Sequence, residues 1–225
     1  MGSVRILSHS AERFKDRREA GRLLGGELKK EGGLGTVVLG IPRGGIVVAV
    51  EVARILDAHL DIVLSRKLGA PFNPELAVGA VSEDGKVFLN ENVVASLGVD
   101  DYYIQKEKAH QILEIKRRIE LYRKFLPKVP LKGKIVIVTD DGVATGATMQ
   151  AALWAARQEQ PKKLIAALPV GPPETIEMLA GDADETLCLR APEFFAAVGQ
   201  FYLQFGQVED EELTEVLKEE VRRKG

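Results

Sequence analysis

Short apolar runs alternate with amphipathic segments along this chain, and the alternation predicts strands joined by helices. The runs are rich in Val, Ile and Leu, as in parallel strands that are buried on both faces. Strands are predicted at residues 36–41, 61–64, 134–139, 164–168 and 186–189, and helices at 10–30, 46–56, 101–125, 147–158, 173–180 and 210–222. The fold class is therefore α/β, with a central, mostly parallel five-stranded sheet and helices on both faces.

The segment between the second and third predicted strands departs from this alternation. Residues 77–82 and 86–90 flank Asp84-Gly85, a pair that predicts the turn of a β-hairpin. Residues 65–76 contain two prolines and a glycine and are predicted to be irregular. The helix at 101–125 carries many charges, so we expect it to be solvated or to form an interface rather than a site.

The chain is predicted to form a single domain, residues 1–225. Its core is expected at about 34–190, with the hairpin and the long helix inserted at 77–127. The terminal segments 1–31 and 191–225 are expected to form a small hood and tail. Because ligands of parallel sheets bind at the carboxyl ends of the strands, the functional residues are expected to follow the strands directly.

Composition narrows the class of protein. The 225 residues are 45% apolar and 28% charged, with a formal net charge of −2, so neither a basic nucleic-acid-binding surface nor a membrane protein is indicated. The N-terminal residues lack a signal-peptide pattern, and the single cysteine, Cys188, lies in an apolar stretch. A cytoplasmic protein is expected. The oligomeric state stays open between a monomer and a homodimer.

An acidic pair followed by small residues ends the third predicted strand. Asp140 and Asp141 repel each other, and the loop Gly142, Val143, Ala144, Thr145, Gly146, Ala147, Thr148 has little side-chain bulk. Its N–H groups and the N-terminus of the following helix favour a phosphate, while the carboxylates favour hydroxyls or a metal. A sugar phosphate with a vicinal diol meets both requirements. The alternative is an ordinary connection in which Asp141 caps the helix.

Two basic segments follow the first two predicted strands. Pro42, Arg43, Gly44 and Gly45 follow the first strand, where glycines permit unusual dihedrals and the guanidinium offers two donors to an anion. Arg66-Lys67 is expected at the end of the second strand, facing the same edge of the sheet. Each segment alone is also compatible with a Gly-rich turn or a solvated surface pair, and it is their convergence that favours an anion site.

These residues resemble a known family. I-V-I-V-T-D-D-G-V-A-T-G-A-T, residues 135–148, resembles the phosphoribosyl-pyrophosphate (PRPP) motif of the type I phosphoribosyltransferases. The chain is more narrowly similar to a "predicted phosphoribosyltransferase" group that carries G-I-P-R-G-G, R-K-L-G-A-P and F-Y-x-x-F. The resemblance runs nearly end to end and implies a type I phosphoribosyltransferase-like fold, a role in nucleotide metabolism and no particular acceptor.

The resemblance implies a role for each segment. Asp140 and Asp141 would meet the ribose hydroxyls, with Mg²⁺ bound mostly through substrate. Residues 142–148 would hold the 5′-phosphate, and residues 42–45 would form the pyrophosphate loop, in which a non-proline cis peptide is expected at Pro42–Arg43. Arg66 and Lys67 would lie beside the pyrophosphate. The expected enzyme is an Mg²⁺-dependent phosphoribosyltransferase that uses PRPP and a small acceptor.

The acceptor side is less defined. Hypoxanthine/guanine-type members carry a carboxylate at the position of Ala144, so this chain lacks a proton-transfer group there. Glu75 and Glu83 are the remaining candidates for a general base. Phe194 or Phe195 would stack on a base, or the aromatic cluster at 194–205 would only pin the tail to the core.

Two other functions stay open. One is a regulatory module that binds PRPP or a nucleotide without catalysis, and the retained cations Arg43, Arg66 and Lys67 argue against it. The other is PRPP synthesis, although those enzymes resemble a longer, duplicated fold.

Overall fold

The computed structural model describes residues 2–224, without the side chains at positions 74, 75, 221, 223 and 224. Its strands are β1 (Ser3–Ile6), β2 (Thr36–Gly40), β3 (His59–Ile62), β4 (Ser65–Ala70), β5 (Asn73–Ser82), β6 (Val87–Leu89), β7 (Ile135–Thr139), β8 (Lys163–Val170) and β9 (Glu185–Arg190). Its helices are α1 (Arg17–Glu27), α2 (Gly44–Leu56), α3 (Glu91–Leu97), α4 (Asp101–Tyr122), α5 (Ala147–Gln158), α6 (Pro173–Leu179) and α7 (Asp210–Lys224), with 3₁₀ turns at Lys29–Glu31 and Val198–Phe201.

The main sheet is parallel and has the order β1-β9-β8-β7-β2-β3. All five predicted strands are present, and the sixth, β1, was not predicted. Its four residues S-V-R-I are too few to show a period, and they become a strand only by pairing with β9, where Ser3 lies opposite Glu185. The prediction of a five-stranded sheet was therefore wrong by one edge strand.

Helices cover both faces of this sheet, as predicted. Successive strand residues point to opposite faces, so Val38 of β2 packs in a cluster with α1 and α2, while Val37 and Leu39 pack in a cluster with α5 and α6. Both clusters are fully apolar and buried, which explains why the strands read as continuous hydrophobic runs.

A second, antiparallel sheet with the order β4-β5-β6 is inserted after β3. The hairpin through Gly85, which has φ +78°, is confirmed. The prediction that residues 65–76 are irregular was wrong, because β4 pairs with β5 from Ser65↔Ser82 to Ala70↔Asn73 through two register shifts. The shifts accommodate residues that read as strand breakers.

The helix boundaries also differ from the prediction. α1 begins at Arg17, well after residue 10, because the side chain of Asp16 accepts the N–H of Glu19 and caps the helix there. α3 was not predicted, and α4 ends at Tyr122. No helix among residues 2–224 combines the length and apolar character that crossing a bilayer requires.

Candidate active site

The two motif loops lie side by side at the carboxyl edge of the main sheet. β2 and β7 are parallel neighbours with Gly40 opposite Thr139, and the N–H of Ile41 donates to the Thr139 carbonyl at 3.0 Å. A Cβ added to Gly44 would lie 2.0 Å from Asp141 Oδ2. One added to Gly45 would lie 2.8 Å from the Cα and from Oδ1 of Asp140. The two glycines therefore let the P-R-G-G loop pack directly on the acidic pair.

The loop after β2 has the geometry that the family resemblance implies. The peptide bond between Pro42 and Arg43 is cis. α2 begins at Gly44, earlier than predicted, so both glycines belong to its first turn. The Arg43 guanidinium lies 3.4 Å from the exposed carboxylate of Glu209, a weak surface contact. The helix N-terminus and Arg43 together offer donors to an anion at this edge.

The acidic pair directly follows β7. Asp140 is half-buried, and its Oδ1 accepts the N–H of Asp141 at 2.8 Å. Burial first, and the charge of Asp141 second, raise the pKa of Asp140 well above its ordinary value. Two adjacent carboxylates, one of them poorly solvated, cost stability unless hydroxyls or a cation meet them.

The loop after the acidic pair is partly exposed and partly buried. Ala144, Thr145 and Thr148 are exposed, whereas Gly146 has φ +80° and precedes α5 as its N-cap. The alternative in which Asp141 caps this helix is therefore not what the structure has. Thr175, in α6, donates from Oγ1 to the Ala144 carbonyl at 2.8 Å and so supports the loop from below.

Arg66 and Lys67 were expected at the end of the second main-sheet strand. They lie instead in β4, because β3 stops at Ile62 and the chain passes into the small sheet. The structure still brings them to the predicted edge. They line a cavity of about 320 Å³, here called the anion cavity, whose wall includes Pro42, Arg66, Lys67, Glu107, Gln111, Arg118 and Thr148.

Three residues of α4, Glu107, Gln111 and Arg118, complete the wall of the anion cavity, and no sequence pattern pointed to them. Gln111 accepts from Arg66 Nε at 2.9 Å and donates to Glu107 Oε1 at 2.8 Å. Burial first, and the nearby charge of Arg66 second, lower the pKa of Arg118. Among the described residues neither Arg66 nor Arg118 forms an ion pair. The expectation that this helix has no part in a site was based on its charge pattern, which cannot show what its side chains face.

Arg17, the first residue of α1, is a further residue that the sequence reasoning missed. Its Nε lies 2.7 Å from Asp141 Oδ2, and its Nη1 donates to the Gly206 carbonyl at 2.9 Å. The guanidinium carbon also lies 3.9 Å from the centre of the Phe205 ring. In the sequence it is one of several charges in the first helix, 124 residues from its partner.

The aromatic segment 194–205 contains both packing and exposed rings. Phe195 stacks on Phe201 at 5.0 Å, and Tyr202 stacks on Phe205 at 4.9 Å. Phe194 is 87% exposed. A Cβ added to Gly142 would lie 2.6 Å from Val198, so this segment covers the start of the loop at 142–148. Four of the five rings thus pin the tail to the core.

Glu83, one of the two candidate general bases, does not join the site. Glu83 pairs with Arg123 at 2.9 Å and with Lys128 at 3.0 Å on another surface. The side chain of Glu75 lies outside the described residues. No cluster of three or more His, Cys, Asp or Glu side chains suited to a metal occurs where the structure is described. Mg²⁺ in such enzymes is usually bound by one or two carboxylates together with water and substrate phosphates. The two adjacent carboxylates of Asp140 and Asp141 fit that kind of site.

The parallel sheet, the inserted antiparallel sheet and the two loops at the β2–β7 edge define a protein of the type I phosphoribosyltransferase class. The sequence model of the phosphoribosyl transferase domain matches residues 11–205, and the chain belongs to this family. It is 45% identical over 204 residues to "Putative phosphoribosyl transferase Rv0571c" of Mycobacterium tuberculosis, covering 91% of this chain and 46% of the relative. A protein from another strain of that species, "Putative phosphoribosyl transferase MT0597", matches equally.

The chain thus spans about half the length of these curated relatives. Among solved structures, TT1426 from Thermus thermophilus is 48% identical, with a TM-score of 0.86 over 92% of this chain and 98% of its own. The likeness therefore extends over nearly all of that structure.

Proposed function

We propose that this chain transfers the 5-phosphoribosyl group of PRPP to a nucleobase or a similar small acceptor, with release of pyrophosphate. The observation that carries the proposal is the packing of the P-R-G-G loop on the acidic pair through Gly44 and Gly45. This packing places the N-terminus of α2, which can bind an anion, in direct contact with the two carboxylates. PRPP is a ligand that needs both, since it carries a diol between two phosphate groups.

The parts of PRPP can be assigned to the loops by their chemistry. The 5′-phosphate would meet the N–H groups of residues 142–148 and the N-terminus of α5. The ribose hydroxyls would donate to the carboxylates of Asp140 and Asp141. The pyrophosphate would lie between the N-terminus of α2 and the anion cavity, which Arg66 and Arg118 line together with Glu107. Neither arginine is committed to an ion pair among the described residues, so both could meet an anion.

The reaction breaks the bond between the anomeric carbon and the pyrophosphate oxygen, which keeps the electron pair. A new bond forms from that carbon to a nucleophilic atom of the acceptor, which gives up a proton. The cations of the anion cavity would stabilise the charge that grows on the leaving group. The loops would hold the reacting atoms in line. Mg²⁺, held by Asp140, Asp141 and the substrate, would neutralise part of the phosphate charge.

The acceptor would bind on the side covered by residues 191–206. Phe195 already stacks on Phe201, whereas Phe194 is exposed. Phe194 is therefore the ring that would stack on a base. Ala144 is exposed and has no titratable side chain, so the protein supplies no acid or base there. Acceptors that lose their proton to water without help are therefore favoured.

One observation favours a second function, a module that binds PRPP or a nucleotide without catalysis. Glu83 forms ion pairs with Arg123 and Lys128, and Ala144 cannot transfer a proton, so neither position provides a general base. The cations of the anion cavity argue for the enzyme, since a sensor has no need to stabilise a leaving group.

Calorimetric titration with PRPP and Mg²⁺, followed by pyrophosphate release with a panel of bases, tests the proposal. We expect binding and acceptor-dependent release. Binding without release across the panel supports the sensor, and no binding overturns both functions. The Asp140→Asn/Asp141→Asn double variant should fold normally and bind PRPP at least about tenfold more weakly. Unchanged binding in that variant contradicts the site assignment.

A further inference from the structure

Arg17 joins three separate parts of the chain at the edge of the candidate site. It belongs to α1, its Nε is 2.7 Å from Asp141 Oδ2, and its Nη1 is 2.9 Å from the carbonyl oxygen of Gly206. Its guanidinium carbon lies 3.9 Å from the ring centre of Phe205. Only 12% of the Arg17 side chain and 15% of the Asp141 side chain are exposed. Such a pair is worth more than a surface salt bridge, because little water screens it.

The surroundings of Arg17 leave Asp141 little freedom. The hydroxyl of Tyr202 donates to the backbone carbonyl of Asp141 at 2.5 Å. A Cβ on Gly44 would lie 2.8 Å from Arg17 Nε, so the glycine makes room for the guanidinium. Asp141 is thus held at its side chain by Arg17 and at its backbone by Tyr202. Both contacts come from segments outside the core of the sheet.

The two acids of the pair are consequently not equivalent. Asp141 has a cation in direct contact, whereas Asp140 has no ion pair among the described residues. The sequence treats them alike, as two ligands for the ribose hydroxyls. In the structure Oδ2 of Asp141 accepts from Arg17 and packs against Gly44, which leaves Oδ1 as the less constrained oxygen to meet a ligand.

We propose that Arg17 is a positioning residue of the phosphoribosyl site, acting on PRPP through Asp141. It fixes the orientation in which Oδ1 of Asp141 meets a ribose hydroxyl. It also ties the terminal segments, at Phe205 and Gly206, to the acidic pair. This inference rests on the proposed function, because it requires PRPP to bind at this edge.

A double-mutant cycle between Arg17 and Asp141 tests the inference by PRPP titration in the presence of Mg²⁺. Arg17→Ala should weaken PRPP binding by about tenfold in the wild-type background. In the Asp141→Asn background the same change should cost less than about twofold, because there is no charged partner left to position. Thermal unfolding of each variant separates this effect from a loss of stability.

Two further variants distinguish the geometry of Arg17 from its charge. Arg17→Lys keeps the charge but replaces the planar fork that reaches Asp141 and Gly206 by a single nitrogen, so it should recover only part of the affinity. Arg22→Ala is the matched control in α1, because that side chain is 52% exposed and its ion pair is with Glu51, at 3.6 Å, away from the acidic pair. It should bind PRPP within about twofold of wild type. If Arg17→Ala does not fold, Arg17→Lys completes the cycle.

The outcomes separate the two levels of the proposal. Wild-type protein that does not bind PRPP overturns the proposed function and this inference with it. Wild-type binding together with unchanged binding by Arg17→Ala overturns only the inference. An equal loss in the wild-type and Asp141→Asn backgrounds also overturns it, since Arg17 would then act independently of Asp141.

Discussion

Charges are arranged differently in two regions of this molecule that flank the inserted sheet. In the candidate site like charges lie together: Asp140 beside Asp141, and Arg66 near Arg118. The other region is a cluster of ion pairs, here called the paired network, formed by Asp61, Glu83, Arg123, Lys128 and Glu159. It lines a cavity of about 40 Å³, an eighth of the size of the anion cavity.

Every charge of the paired network meets an opposite one. Arg123 contacts Asp61, which is only 2% exposed, and lies 2.9 Å from Glu83. Lys128 lies 3.0 Å from both Glu83 and Glu159. Asp61 also accepts the N–H of Val129 at 2.8 Å. Burial raises the pKa of Asp61, although Arg123 opposes it. The network therefore needs no ligand to satisfy it.

The difference teaches how to separate structural charges from functional ones. Both regions contain buried or half-buried arginines and aspartates, so residue type and burial do not distinguish them. What distinguishes them is how completely the protein supplies the counter-charge. In the candidate site Arg17 meets Asp141, whereas Asp140, Arg66 and Arg118 form no ion pair among the described residues. Like charges that are left together destabilise the empty protein, and a bound anion or cation relieves them.

Breaking the paired network should have the largest effect on stability. Arg123→Met removes the cation beside Asp61 and leaves a carboxylate buried with less compensation, which should cost about 3–5 kcal/mol of unfolding free energy. Denaturant titration measures it, with Arg66→Met as the matched control. A loss in Arg66→Met as large as that in Arg123→Met would remove the distinction between the two regions.

The opposite result is expected from Arg118→Ala in the anion cavity. Removing one of two like charges should leave stability within about 0.5 kcal/mol and weaken PRPP binding by about tenfold. Lys116→Ala, at an exposed position of the same helix, should change neither quantity. A stability loss in Arg118→Ala without a change in affinity would place Arg118 among the structural charges.

Asp140→Asn should stabilise the unliganded protein at neutral pH, by an amount of the order of 1 kcal/mol. Because the folded-state pKa of Asp140 is raised, the wild type loses stability as pH rises above about 4, the pKa of an unfolded aspartate. The gain in Asp140→Asn should therefore shrink as pH falls toward 4. Denaturant midpoints measured from pH 4 to 8 test this, and a gain that is constant with pH would contradict it.

The smallest effect is expected when a second carboxylate is added to the anion cavity, beside Glu107. Gln111→Glu places a carboxylate where the amide oxygen now accepts from Arg66 Nε, and should weaken PRPP binding by about threefold. Gln111→Met removes the hydrogen bonds without adding charge and should bind more tightly than Gln111→Glu. Equal affinities would show that the charge of Arg66 does not matter for binding.

The sequence was informative where the site is built from neighbouring residues. Strand β7, the acidic pair and the loop to α5 occupy one continuous stretch, so their composition alone predicts a site for a sugar phosphate. The P-R-G-G loop is likewise local, and its place beside the acids follows from β2 and β7 being parallel neighbours.

The missed parts depend on contacts between distant segments. Arg17 and Asp141 are 124 residues apart, and Gln111 and Arg66 are 45 apart. Strand β4 was not predicted for a related reason. It contains Gly69 and is followed by Pro71, two residue types that disfavour strands, and it is stabilised by pairing with β5. The periodicity of apolar residues indicates which positions of a segment are buried, but it does not indicate which other segment of the chain packs against them.

The contact of Gly44 and Gly45 with the acidic pair has a mechanical consequence. Neither loop can shift by even the width of a methyl group without displacing the other, because close-packed atoms transmit displacement rather than absorb it. The floor of the site, formed by the ends of β2 and β7, is accordingly stiff. If the proposed acceptors bind here, adaptation to their different shapes would come from the walls, which are the α4 insertion on one side and the terminal segments on the other.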